Sequence, residues 1–145
     1  MILYLDSSAL VKRYIAEAGS QQVKTWIAAA RPAATGLLAH TEIAAAICQA
    51  ARLGWIGVEE SQRALHLFQS EWESLARLPI LEATASRAAS LACQHDLRGY
   101  DAVHLACALL YQEGLGLPVT LATFDRLLWQ AGQAEGLLVL PETQP

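Results

Sequence analysis

A doubly wound α/β domain on a parallel sheet is what the patterning of this chain predicts, and three observations carry the prediction. Short apolar runs alternate with longer helical segments along the chain, the order expected of βαβ units. A four-residue apolar run opens the sequence and gives way at once to helix-capping residue types. The length, 145 residues with 54% hydrophobic side chains, suits one domain with a sizeable core.

The elements follow in order. Residues 2–5, Ile-Leu-Tyr-Leu, read as a short buried strand. Asp6, Ser7 and Ser8 are all good N-cap types and introduce a helix through about residue 17. Gly19-Ser20 stops it and starts another, which Arg31-Pro32 breaks near residue 30. Residues 33–36 form a weak second strand. An Ala-rich helix over 37–53 ends at Gly54, and a further helix spans 58–78, with Trp72, Leu75 and Leu78 spaced as a buried stripe. Residues 78–81 give a third strand. Helices over 83–95 and 100–113 flank the Leu97-Arg98-Gly99 turn. Residues 118–123 make a fourth strand, 124–131 a helix and 137–140 a fifth strand. No repeat, linker or low-complexity stretch interrupts this pattern, so residues 1–140 are expected to form a single domain, and 141–145 a short frayed tail.

Composition narrows the function. Charged residues are only 17% of the chain, below the usual quarter or so, and the mean hydropathy is +0.27. Apolar surface should therefore be left over for a partner or a second copy. A membrane span is not expected, because the densest run, residues 102–111, contains His104 and is shorter than the ~20 residues a span needs. No signal-peptide pattern opens the chain. Cys48, Cys93 and Cys107 all fall in helical patterns without metal-type spacing, which predicts reduced core thiols and a cytoplasmic location. The net charge of −4 argues against broad phosphate neutralisation, so any phosphate must be met locally.

Four acids stand where apolar segments begin or end: Asp6, Glu42, Asp101 and Asp125. Singly, Asp6 and Asp125 read equally well as helix caps, and Glu42 could be the acidic partner of a capping box; Asp101 is harder to dismiss, because it opens a helix that is apolar on nearly all sides. Together they ask for a shared reason, since a buried carboxylate is costly unless paired, hydrogen-bonded or bound to a cation. Asp6 follows the first strand and Asp125 the fourth, and ligands of open α/β sheets bind beyond the carboxyl ends of the strands. Oxygen ligands of this kind suit a hard divalent cation.

The segments Tyr4-Leu-Asp-Ser-Ser-Ala-Leu-Val-Lys, Thr41-Glu-Ile-Ala-Ala-Ala, Leu97-Arg-Gly-Tyr-Asp-Ala-Val-His-Leu-Ala and Ala122-Thr-Phe-Asp-Arg carry a family resemblance. The chain resembles PIN-domain ribonucleases, and most closely the VapC-type toxins of bacterial toxin–antitoxin pairs. That resemblance implies a PIN-like domain with a central parallel five-stranded sheet flanked by helices. It implies endoribonuclease activity dependent on Mg²⁺ or Mn²⁺, with Asp6, Glu42, Asp101 and Asp125 as the acidic quartet. It implies an RNA substrate, a small antitoxin that blocks the site, and a homodimer. The helices over 37–78 are the candidate antitoxin groove.

The chemistry is consistent with that implication. Phosphodiester hydrolysis needs an activated water, a neutralised phosphate and a stabilised leaving oxygen, all of which one or two such ions can supply. Mg²⁺ takes only one or two carboxylates directly. Asp6 and Asp101 are therefore expected as the direct ligands, with Glu42 orienting water and Asp125 completing the shell. Mutual repulsion among the acids predicts that Asp101→Asn leaves the protein at least as stable without metal. Ser7 and Thr123 either hydrogen-bond a ligating carboxylate or simply cap. His104, one turn after Asp101, either contacts the site or is a satisfied core histidine. Lys12, Arg13, Arg98 and Arg126 lie near the acidic segments and either guide the RNA backbone or are scattered solvated charges. Trp26, Trp55, Trp72 and Trp129 are expected in the core or at interfaces. A HAD-type phosphatase would need a second acid two residues after Asp6, where Ser8 stands, and a receiver domain would need a late lysine, yet none follows Lys24. The competing reading is a catalytically silent PIN-type module that binds metal and a protein partner without cutting RNA.

Overall fold

The computed structural model describes residues Met1–Pro145. Five strands, β1 (Ile2–Leu5), β2 (Ala33–Gly36), β3 (Ala76–Leu78), β4 (Val119–Ala122) and β5 (Leu138–Leu140), form one sheet in the order β3-β2-β1-β4-β5. Every pairing is parallel. The helices are α1 (Ser7–Leu10), continued by a 3₁₀ turn at Val11–Arg13, then α2 (Ser20–Ala29), α3 (Ala39–Arg52), α4 (Val58–Trp72), α5 (Glu82–His95), α6 (Gly99–Leu115) and α7 (Arg126–Ala134).

Alternation along the strands sorts the core into two layers, because successive side chains of a strand point to opposite faces. Tyr4, Val119 and Leu121 pack with Ala102, Leu105 and Leu109 of α6 and Leu91 of α5. Leu3, Leu5 and Ala122 pack on the other face with Ile43 and Ile47 of α3 and Phe68 and Trp72 of α4. The chain leaves β1 toward β2 and leaves β4 toward β5, so the strand order reverses between β1 and β4. A crevice at the carboxyl ends of these two strands is where α/β folds place ligands.

Both outer strands are three residues long and each is followed directly by a proline, Pro79 or Pro141. Pro79 explains why the third strand is 76–78 and not 78–81: proline has no N–H for the ladder. The helix expected to reach residue 78 ends at Trp72, because residues 76–78 pair with β2 as β3; Trp72 and Leu75 are buried. The first helix also stops early. Ser20 donates to the Ile15 carbonyl and accepts from the Glu17 amide, and Gly19 turns at φ 88°, a left-handed conformation suited to glycine.

One further expectation is corrected. Only Cys107 is a core thiol; Cys48 and Cys93 are exposed, because they sit on the outer faces of α3 and α5. Trp72 and Trp129 are nearly buried, but Trp55, in the turn between α3 and α4, is 73% exposed. No helix is long and apolar enough to cross a membrane.

Candidate active site

Asp6 stands at the end of β1 as the N-cap of α1, accepting from the Ala9 amide at 2.9 Å. It is 2% exposed. The Ser8 hydroxyl lies 2.8 Å from both its oxygens, and the Thr123 hydroxyl 2.8 Å from Oδ2. Those hydroxyls also accept backbone amides, Ser8 from Phe124 and Thr123 from Asp125. Each therefore has its proton free for Asp6, and the loops after β1 and β4 are buttoned together on one carboxylate. Burial pushes the Asp6 carboxyl up, and His104 and the hydrogen bonds from Ala9, Thr123 and Ser8 offset this only in part.

Glu42, in the first turn of α3, meets the site from the other side. Its Oε2 accepts from the Ser7 hydroxyl and lies 2.8 Å from His104 Nε2. Burial raises the Glu42 carboxyl, but the hydrogen bonds from His104 and Ser7, with the nearby Arg98 charge, outweigh it and leave a net lowering. His104 comes from α6 and is 2% exposed.

Asp101 and Asp125 share one partner. Arg98 Nε donates to Asp101 Oδ2 at 2.7 Å, and its Nη2 to Asp125 Oδ2 at 3.2 Å. Asp125 also caps α7, accepting from the Leu128 amide at 2.9 Å. The hydrogen bond and charge of Asp101, with the charges of Asp125 and Glu42, raise the Arg98 pKa.

All four acids thus reach the β1–β4 crevice through shared partners: Asp6 and Asp125 through Thr123, Asp101 and Asp125 through Arg98, Glu42 through Ser7 beside Asp6. They do not form a ready ligand cage. No three His, Cys, Asp or Glu side chains are grouped closely enough to hold an ion as they stand, since a guanidinium bridges two of the acids and hydroxyls surround a third. The all-oxygen donor set nevertheless matches a hard divalent cation. Asp101 carries its own cationic partner, so the relief expected on neutralising an acid moves to Asp6, which has only hydroxyl and amide donors.

Other expectations sort as follows. Ser7 and Thr123 both hydrogen-bond candidate acids, and His104 is at once a core residue and a Glu42 partner. Lys12 pairs with Glu17 and Arg13 with Glu71, while Arg126 is exposed. The sequence offers Ser8 only as a cap and Tyr4 only as a strand residue. Tyr4 was findable: a hydroxyl inside an otherwise aliphatic strand must find a partner, and it lies 2.9 Å from His104 Nδ1.

Comparison with known proteins agrees with this architecture. The model of the PIN domain family matches residues 3–131. Ribonuclease VapC45 of Mycobacterium tuberculosis is 33% identical over 141 residues, covering 97% of this chain and 95% of its own. Ribonuclease VapC47 of the same species is 32% identical over 123 residues, covering 82% and 83%. Among solved structures, a toxin–antitoxin complex from Klebsiella pneumoniae aligns over 100% of both chains with a TM-score of 0.68 at 18% identity. The M. tuberculosis sarcin-ricin loop cleaving toxin VapC20 aligns over 99% of both with a TM-score of 0.65 at 17% identity. At those identities the two structures speak to the fold alone.

Proposed function

Because the chain belongs to the PIN-domain family and is related over almost its whole length to VapC ribonucleases, we propose that it is a divalent-metal-dependent endoribonuclease, the toxin of a toxin–antitoxin pair, with Asp6, Glu42, Asp101 and Asp125 as its acidic site. The observation that carries the site assignment is Asp6. It is a buried carboxylate at the strand-order reversal, held by hydroxyls from α1 and from the loop after β4 and without a lysine or arginine partner. Its hydrogen bonds offset the cost of burial only in part, leaving the carboxyl raised, and a bound cation would complete the balance.

Asp6 and Asp101, with Glu42 and Asp125, would hold Mg²⁺ or Mn²⁺, which supplies an activated water and charge neutralisation at the scissile phosphate. The residues of the chain do the rest. Ser8 and Thr123 fix the Asp6 carboxylate by donating to it. Ser7 and His104 fix Glu42 and help keep it ionised, so that it accepts a hydrogen bond from the attacking water. Arg98 neutralises Asp101 and Asp125 and competes with a cation for their oxygens. It is largely exposed at the crevice mouth, where an RNA backbone would approach.

An antitoxin partner and a homodimer belong to the same reading. Leu53, Trp55 and Val58 are 54%, 73% and 69% exposed at the turn joining α3 to α4, apolar surface that supports residues 37–78 as the antitoxin contact. One observation favours the silent-module alternative: Arg98 already satisfies two of the acids.

Cleavage of a mixed RNA pool separates the two. Purified protein with Mg²⁺ or Mn²⁺ is expected to cut, EDTA to stop it, and Asp101→Asn to lose it at least a hundredfold. Mn²⁺ binding without any cutting would establish the silent module, and an Asp101→Asn chain that cuts at the parent rate would remove Asp101 from the site.

A further inference from the structure

Tyr4 and His104 are a hydrogen-bonded pair with 0% and 2% exposure, and the ribonuclease reading above does not use Tyr4. The pair forms the inner end of a line that runs from the core to the site: Tyr4 hydroxyl to His104 Nδ1 at 2.9 Å, His104 Nε2 to Glu42 Oε2 at 2.8 Å and to the Ser7 hydroxyl at 3.2 Å. Ser7 gives its proton to Glu42, so its oxygen is left as an acceptor. Glu42 is an acceptor as well. Both outer neighbours of Nε2 therefore want a proton from it, which places the ring N–H on Nε2. In the neutral ring Nδ1 is then the acceptor, and the Tyr4 hydroxyl the donor.

Space for this arrangement is provided by Gly36, the last residue of β2. A Cβ built there would lie 2.8 Å from the Tyr4 hydroxyl and 3.7 Å from His104 Nδ1. No positive φ requires glycine at this position, so the hydroxyl beside it is what excludes a side chain. Gly36 also leads, through Leu37 and Leu38, into α3, which carries Glu42. Three elements, β1, β2 and α6, thus converge on the orientation of one carboxylate.

A purely structural pair would end on a buried acceptor. This one ends on Glu42, whose side chain is 25% exposed, next to the residue that follows Asp6. We infer that Tyr4 is a positioning residue for Glu42, acting by locking His104 in the tautomer whose Nε2–H donates to that carboxylate, with Gly36 keeping the hydroxyl's place open. The inference rests on Glu42 belonging to the nuclease site.

The test uses the full chain as parent, Tyr4→Phe, Gly36→Ala and, as a control, Leu91→Ala, a core change on α5 in the same apolar layer as Tyr4 but outside the hydrogen-bonded line. Imidazole ¹⁵N spectra read the His104 tautomer, Mn²⁺ titration reads the metal site, and cutting of the RNA pool reads activity. In the parent, the His104 proton is expected on Nε2 alone. Tyr4→Phe and Gly36→Ala should both give a tautomer mixture, with cutting reduced about tenfold, the lower end of what outer-shell changes cost. Leu91→Ala should lower the melting temperature yet keep the parent tautomer and, while folded, the parent rate. An unchanged tautomer in Tyr4→Phe, or a changed tautomer with parent Mn²⁺ affinity and parent cutting, overturns the inference. A parent that neither binds Mn²⁺ nor cuts overturns the nuclease reading instead, and this role for Tyr4 with it.

Discussion

Replacing Arg98 with glutamine should push stability and metal affinity in opposite directions. The guanidinium donates to Asp101 at 2.7 Å and to Asp125 at 3.2 Å, with the arginine side chain 74% exposed and the two carboxylates 13% and 25% exposed. Exposed ion pairs contribute about 0.2–1 kcal/mol each, so the two together contribute about 1 kcal/mol. In EDTA the variant should melt about 3 °C below the parent, given ~2–4 °C per kcal/mol for a chain near this size. A divalent cation that takes the same carboxylate oxygens must first displace the guanidinium. By linkage, whatever the bridge contributes without metal is lost from metal binding. Removing it should tighten Mn²⁺ binding about fivefold, which is ~1 kcal/mol at 1.4 kcal/mol per decade. The melting difference should then shrink or reverse in millimolar MnCl₂. Calorimetric melts in EDTA and in Mn²⁺, with a direct Mn²⁺ titration of both chains, measure every quantity. Equal Mn²⁺ affinities, beside a lower melting temperature in EDTA, would refute the competition and place the metal away from Asp101 and Asp125.

Two variants read the remaining electrostatics in EDTA. Asp6→Asn should melt no lower than the parent at pH 7, because the buried carboxyl is raised above its ordinary value and its ionised form costs stability there. That advantage should fade as the pH falls through the raised value, where the parent takes up its proton; a clearly less stable Asp6→Asn at pH 7 would contradict it. Glu42→Gln should show the reverse. The lowered Glu42 carboxyl contributes stability above its unfolded value near 4.5, and this is lost as the pH falls through the lower folded value. Its melting deficit should therefore be largest near neutrality and vanish in acid, and a deficit independent of pH would count against the His104 and Ser7 contacts as its source.

Local patterning made much of the fold legible. β1, β2, β4 and β5 appear within a residue or two of their apolar runs, and α6 ends at Gly116 in a left-handed turn of the kind glycine favours. The misplacements came from features whose effect depends on neighbours. Pro79 ends β3 only because β2 is there to be paired with, and the first helix is cut short by a turn that Ser20 closes from five residues away. The acids were legible because carboxylates stand out against apolar segments. Their partners were less so: Tyr4 and His104 are separated by 100 residues and Asp6 and Thr123 by 117. Arg98 could be read either as an RNA guide or as a scattered solvated cation, and only α6 and the β4 loop, by bringing Asp101 and Asp125 to one guanidinium, show its contacts.

The two outer strands limit one route by which a sheet can recruit another chain. A sheet with bare margins invites another chain to add a strand by backbone pairing, the route to domain swapping and fibrils. Here each margin offers three residues and then a proline, too little ladder to template a neighbour. For a chain with 54% hydrophobic residues, this closes the sheet edges as a route to open-ended polymerisation. An antitoxin segment would be recognised through side chains lying across helices, where sequence differences count, rather than through a backbone that any peptide shares. Selectivity for one partner among many similar ones would then begin at the edges of the sheet, which decline to bind.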